Sequence, residues 1–217
     1  YRHVGTLVFA FSAVALGSAG DISKVNGSVD VAAGQQAGDV STVNGSITIG
    51  RNASVREVDT VNGSIRLDER ARAESVETVN GGVTLGEGVL VSEDVSAVNG
   101  KLTVRRGARV GGRLENVNGQ FLLEGATVGA GIETVNGDIV VGAGSRVDGG
   151  VTVEDSHSWK WRAKSRNPRL TIESGAVVNG PLRFEREVDL YLGDGAVIGP
   201  VEGVEPRRYT IGAADAG

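Results

Sequence analysis

Four carboxylates fall one or two repeat lengths apart along this chain: Asp59, Glu77, Glu115 and Glu133. Gathered on one face, they could supply the paired carboxyl groups that glycosidic-bond cleavage needs. The same column holds Ser23, Ser41 and Ser96 and no His or Lys, so a solvated acidic stripe is the simpler expectation. Histidine is limited to His3 and His157, which leaves no material for a Ser-His-Asp triad or a His-rich metal site. Cysteine is absent, so there are no disulfides and no thiolate ligands. The glycines recur at a fixed interval rather than in a strand-to-helix phosphate loop. The chain is therefore expected not to be an enzyme, with no catalytic, cofactor-binding or metal residue assigned.

A second grouping could bind rather than react. Trp159, Lys160, Trp161 and Arg162, followed by Lys164, Arg166 and Arg169, form a basic, aromatic segment unlike its surroundings. Exposed indoles among cations suit sugar stacking, an acidic polymer or a membrane surface. The competing expectation is a flap whose rings cover the flank of the fold while the charges stay in water. The third grouping is Asn26, Asn44, Asn62, Asn80, Asn99, Asn118 and Asn136. Stacked in register, their amides would form a structural ladder. Asn26, Asn44 and Asn62 also begin Asn-Gly-Ser glycosylation sequons, which arise from the repeat spelling and read as turns.

All three groupings hang on one element, the tripeptide Val-Asn-Gly. It starts at residues 25, 43, 61, 79, 98, 117 and 135, so successive steps are 18, 18, 18, 19, 19 and 18 residues. A fixed period of that size signals a stacked array. Within each unit apolar residues sit at places 1, 4, 8, 10, 14 and 16, as in Val40, Val43, Ile47, Ile49, Ala53 and Val55. The pairs 8/10 and 14/16 alternate like short strands, and nothing keeps a helical period. Asn-Gly between apolar runs is also a hairpin signal. In a hairpin, however, Val43 would lie on the face opposite Val40, Ile47 and Ile49, and a sheet cannot bury both sets. A coil with corners avoids the conflict: Asn-Gly takes a left-handed turn, and Val43 and Ile47 both point inward.

The expected fold is all-β: a single-stranded parallel β-solenoid, three-sided, about 18 residues per coil. Because the apolar places do not recur every six residues, the right-handed form is expected. Coils stacked at about 4.8 Å give a rod of roughly 45 Å. A column just before each Val (Lys24, Thr42, Thr60, Thr78, Ala97, Asn116, Thr134) could bind ice if it faced outward, though β-propensity is the plainer reason for Thr there.

Composition agrees. Forty per cent hydrophobic residues can fill a continuous core, and the lack of aromatics between Ser12 and Gln120 predicts a narrow one. A net charge of −5 argues against a nucleic-acid partner. Residues 1–20 carry Arg2 and His3, an apolar run from Leu7 to Leu16, and small Gly17, Ser18 and Ala19, the pattern of a secretory leader. That places the protein outside the cytoplasm (periplasm, outer envelope or exterior), the alternative being a membrane anchor. The chain then divides into Val-Asn-Gly coils at 21–153, the basic Trp segment at 154–169, C-terminal coils at 170–205 and a tail at 206–217. Phe184 and Tyr191 enter late and are expected to close the core end.

The stretch Leu170-Thr-Ile172-Glu-Ser-Gly175-Ala176-Val-Val178-Asn-Gly180, echoed at residues 190–199, resembles the coil of bactofilins, the bacterial polymer-forming cytoskeletal family. The Val-Asn-Gly-Ser-Ile-x-Ile units are similar to β-strand repeats of bacterial putative-adhesin proteins. Together these cover nearly all of residues 22–203. The resemblance implies a right-handed β-helix and head-to-tail filaments formed without nucleotide. The resulting expectation is a structural or surface-interaction module of the envelope, partnered by its own copies through coil ends, by an envelope polysaccharide or by a membrane surface. The alternative is a β-helix enzyme or binding module acting on such a polysaccharide.

Overall fold

The computed structural model describes residues 20–155 and 166–211. They form a parallel β-solenoid of about nine turns with no helix. The coils present three sides, and the first two coils reach the third only by single bridges at Gln36 and Ser54. The first side stacks Ile22–Asn26, Val40–Asn44, Glu57–Asn62 and Ser75–Asn80, and continues to Val201–Gly203. The second stacks Val29–Val31, Ile47–Ile49, Ile65–Leu67 and Val83–Leu85, and ends at Arg207–Ile211. The third is a column of two-residue strands from Arg72–Ala73 to Val197–Ile198. Every pairing between strands is parallel and joins a residue to its equivalent one coil on, as Val40 to Val58 and Ile47 to Ile65.

The core is a stack of Val, Ile, Leu and Ala, as the aromatic-poor sequence implies, with Phe121 and Phe184 the largest side chains in it. Tyr191 does not join Phe184 there. Its register partners are Thr171 and Tyr209, on the outward face of the second side, because residues between two core positions of a strand must point away from the core.

Two details of the repeat differ from expectation. Val43, Val61, Val79 and their equivalents face outward, half-buried against one another, and Val25 at the end of the stack is 61 % exposed. The inward place belongs to the preceding residue: Thr42, Thr60, Thr78, Asn116 and Thr134 are buried, Thr60 to 1 % exposure. Strand alternation from Val40 forces this, and the phase changes only at Asn-Gly-Ser. The buried threonines are thus unavailable to ice or any outside lattice.

The left-handed corner also lies elsewhere. Of the seven Val-Asn-Gly glycines only Gly27 in the first coil, at φ 105°, and Gly100, at a nearly extended φ 158°, have positive φ; Gly45, Gly63, Gly81, Gly119 and Gly137 have none. Positive φ recurs instead once per coil in the turn leading to the third side, at Gly34, Asn52, Arg70, Gly88, Gly107, Gly125, Gly144, Gly175 and Gly195. There the chain reverses through a tight turn, closed by Ala53 N–H to Gly50 O at 3.0 Å and Ala71 N–H to Asp68 O at 3.1 Å. Val95–Val104 and Arg113–Leu123 run unbroken through Asn-Gly, which is a bend in a strand rather than a hinge between strands.

Candidate functional site

The Val-Asn-Gly bend is a stacking device with three interlocking parts. Each Asn amide donates to the Asn carbonyl oxygen of the preceding coil: Asn44 to Asn26, Asn62 to Asn44, Asn80 to Asn62, Asn99 to Asn80 and Asn136 to Asn118 at 3.0 Å, and Asn118 to Asn99 at 3.2 Å. The nitrogens of Asn44 and Asn62 that a glycan would occupy are thereby engaged in the ladder. Inside the bend, the hydroxyls of Thr42, Thr60 and Thr78 donate to the carbonyls of Gly27, Gly45 and Gly63 at 3.2, 3.0 and 3.1 Å. The glycines let consecutive bends touch, since a Cβ at Gly63, Gly81 or Gly119 would fall on the carbonyl oxygen of the glycine one coil earlier. In one coil Asn116 replaces Thr. Its amide reaches Gly100 O at 2.6 Å, but its own carbonyl oxygen is buried without a hydrogen-bond partner among the described residues.

The acidic column forms as the spacing predicts. Ser23, Ser41, Asp59, Glu77, Ser96, Glu115 and Glu133 are successive register partners on the outward face of the first side. Burial beside the Val ladder, reinforced by Glu77, Glu57 and Asp39, pushes the Asp59 carboxyl up to about 7. Burial, with Glu57 and Asp94, also raises Glu77, and burial with Glu133 raises Glu115 against the opposing pull of Arg113. Arg113 sits 3.7 Å from Glu115 and 3.5 Å from Glu133, while Arg56 pairs with Asp39 at 2.7 Å. A carboxyl that titrates near neutrality can hold or release a proton under ordinary conditions. Among the described residues no group of three or more acidic or His side chains is placed to hold a metal ion.

The third grouping sits where the bend is interrupted. Trp159, Lys160, Trp161 and Arg162 lie outside the described residues, but the segment's two ends are described. They leave from Val151–Val153 on the first side and return at Arg169–Ile172 on the second. The insertion therefore replaces the Asn-Gly bend of that coil. Charged contacts fasten its base. Arg166 pairs with Asp138 at 2.6 Å, and the Arg169 N–H donates to the same carboxylate at 2.9 Å. Asn167 reaches Glu187 and Asp189 at 3.3 and 3.4 Å, and the Asp155 N–H donates to Glu185 at 3.1 Å.

Two features here escaped sequence reasoning. Arg186 reaches back past the interrupted coil and donates to Asn136 Oδ1 at 2.7 Å, ending the Asn ladder with a guanidinium. At the strand where the chain resumes, Tyr191 and Tyr209 stack with ring centroids 4.6 Å apart at 15°, and the Arg169 guanidinium lies 5.0 Å from the Tyr191 centroid. Tyr209 is 42 % exposed. The 18-residue step from Tyr191 to Tyr209 was the available signal for that pair. For Arg186 there was none, because its partner lies fifty residues earlier.

Farther down the rod a shallow groove of about 300 Å³ is lined by Arg51, Arg66, Asp68, Glu69, Glu87 and Arg105. Arg66 pairs with Asp68 at 2.9 Å and Arg51 with Glu69 at 3.2 Å, so most of its charge is internally matched. Compared with known proteins, the chain matches no family model, no curated protein and no solved structure.

Proposed function

We propose that this chain is a non-enzymatic structural rod of the bacterial envelope that meets its partners at the interrupted bend. The observation that supports this reading is where the repeated polar residues go. Asn, Thr and Gly of the regular coils all contact the neighbouring coil, so the most repeated features of the sequence serve stiffness. What remains for recognition is the place where the repeat fails. There the Arg169–Tyr191–Tyr209 stack begins where the chain resumes after the segment containing Trp159, Lys160, Trp161 and Arg162 in sequence, and the two together have a composition suited to an envelope polysaccharide or a membrane surface. The envelope assignment rests on the leader-like residues 1–20.

A second reading, an enzyme acting on an envelope polysaccharide, is favoured by one observation: Asp59, held near pH 7 beside Glu77, has the poise of a general acid. One experiment separates the two. The purified chain is imaged by electron microscopy and incubated with acidic and neutral envelope polysaccharides while reducing ends are assayed. Rods of roughly 45 Å with no reducing-end release are expected. Release that disappears in Asp59→Asn would overturn the structural reading.

A further inference from the structure

We infer that Lys24 and Arg208 keep these rods separate by placing a cation in a core column at each end of the described solenoid. This goes beyond a structural role and opposes the filament formation that bactofilin-like coils imply. An end coil of a parallel solenoid carries backbone groups with no ladder partner and is a template for adding a second copy. Among the described residues, Ile22–Asn26 pairs only with Val40–Asn44, and Val29–Val31 only with Ile47–Ile49. At the other end Val201–Gly203 pairs only with Leu182–Phe184, and Arg207–Ile211 only with Asp189–Gly193.

Both ends break the core pattern in the same way. Lys24 is the register partner of Thr42, and so stands in the column of Thr60 and Thr78, all three buried and inward-facing. Its own side chain is exposed, and the ammonium donates to Ser28 O at 2.7 Å. Arg208 is the register partner of Leu190, in the column of Leu170, Ile139 and Phe121, none more than 1 % exposed. Its guanidinium turns to Glu205 at 3.1 Å. In the same coil Thr210 follows Leu192 and Gly203 follows Phe184, while Val201 after Leu182 still packs against the core, so the last turn fills its inward places only in part.

Every way of joining two ends then drives two like charges toward one narrow interior: Lys24 against Arg208 head to tail, two Lys24 head to head, or two Arg208 tail to tail. The cations can keep Ser28 O, Glu205 and water only while they stay at a rim. Stripping that solvation opposes the joint more strongly than a few ladder hydrogen bonds favour it. Charges placed on otherwise pairable edges are a recognised defence against unwanted association.

The test is sedimentation velocity with negative-stain microscopy on the full chain at physiological salt. Wild type is compared with Lys24→Thr/Arg208→Leu, which restores the residues of the neighbouring coils, and with the charge-keeping Lys24→Arg/Arg208→Lys. Wild type and the charge-keeping variant should stay single rods. The restored variant should form linear chains that lengthen by whole rods, with association at least about 10²-fold tighter. End-to-end filaments of wild type, or a folded restored variant that stays single, overturn the inference. If the double variant does not fold, Lys24→Thr alone is read: head-to-head pairs are expected, and single rods at the same concentration overturn it.

Discussion

Gly81→Ala and Gly88→Ala change the same residue type seven positions apart, yet they should differ several-fold in stability loss. The contrast tests what the glycine of Val-Asn-Gly is for. Gly81 has no left-handed φ, so alanine suffers no local backbone penalty there. Its new Cβ would instead fall on the carbonyl oxygen of Gly63 and lie 3.1 Å from Ser64 N. Backbone cannot rotate out of the way, so the two coils must part. Parting weakens Gly63 N–H to Asn80 O at 3.0 Å and Ile65 N–H to Gly82 O at 2.9 Å, and loosens the 3.0 Å amide bond from Asn80 to Asn62. Two or three hydrogen bonds at about 1 kcal/mol each, plus opened packing around them, give about 3–4 kcal/mol. Gly88 has φ +65°, and a Cβ there would meet only the Cγ of Arg70 at 3.5 Å, an ordinary contact. The loss is then the left-handed backbone alone, about 1 kcal/mol. Asn52 at φ 55° and Arg70 at φ 58° already occupy that corner in neighbouring coils. Urea unfolding of both variants with their m-values compared is the assay, supported by amide exchange at residues 63–65 and 80–82 to catch a local opening. A loss in Gly88→Ala equal to or larger than that in Gly81→Ala would refute the close-approach reasoning and return the bend to a matter of φ.

Asn116→Thr should stabilise the rod by about 1 kcal/mol in the same assay, because threonine keeps a donor for Gly100 O and removes the partnerless Asn116 oxygen; an unchanged or lower midpoint would count against it. Asp59 gives a pH dependence whose sign is fixed. Its folded value of about 7 exceeds the ordinary aspartate value, so between roughly pH 4 and 7 the folded state holds a proton that the unfolded state has lost. Stability is therefore greatest below that window and falls as pH rises through 7, by about 1–2 kcal/mol after solvent screening of a half-buried group. Urea midpoints at pH 5 and 8 should converge in Asp59→Asn, though Glu77 and Glu115 keep part of the slope; an unaltered gap would disprove the assignment. Arg186→Ala removes the donor on Asn136 Oδ1 at the top of the amide ladder. Amide exchange should accelerate at residues 135–137 before it changes elsewhere, with a stability loss of about 1–2 kcal/mol; uniform exchange along the rod would contradict that role.

Much of this was legible because a repeat writes its own register. The near-constant step between Val-Asn-Gly tripeptides sets Asn44 over Asn26 and Glu77 over Asp59 once the coils are parallel, and both columns form. The direction of Thr42 and Val43 was not legible. Apolarity favours Val43 inside, but what decides is a strand that starts with Val40 inward and a glycine carbonyl that accepts the Thr42 hydroxyl. That acceptor belongs to another coil and exists only after stacking.

The sequence by itself determined the period, the parallel stacking of coils, the three-sided all-β architecture and the amide ladder, because each follows from identical residues meeting at a fixed interval. The tertiary structure alone decided that the stacked Val-Asn-Gly glycines serve contact between coils, while other glycines make the turn to the third side. It also decided that Asp59 titrates near neutrality, and that Arg186 and the Tyr191–Tyr209 stack gather around the interrupted bend. These depend on which atoms approach across coils, and on how much water is left beside them, which spacing along one chain does not specify.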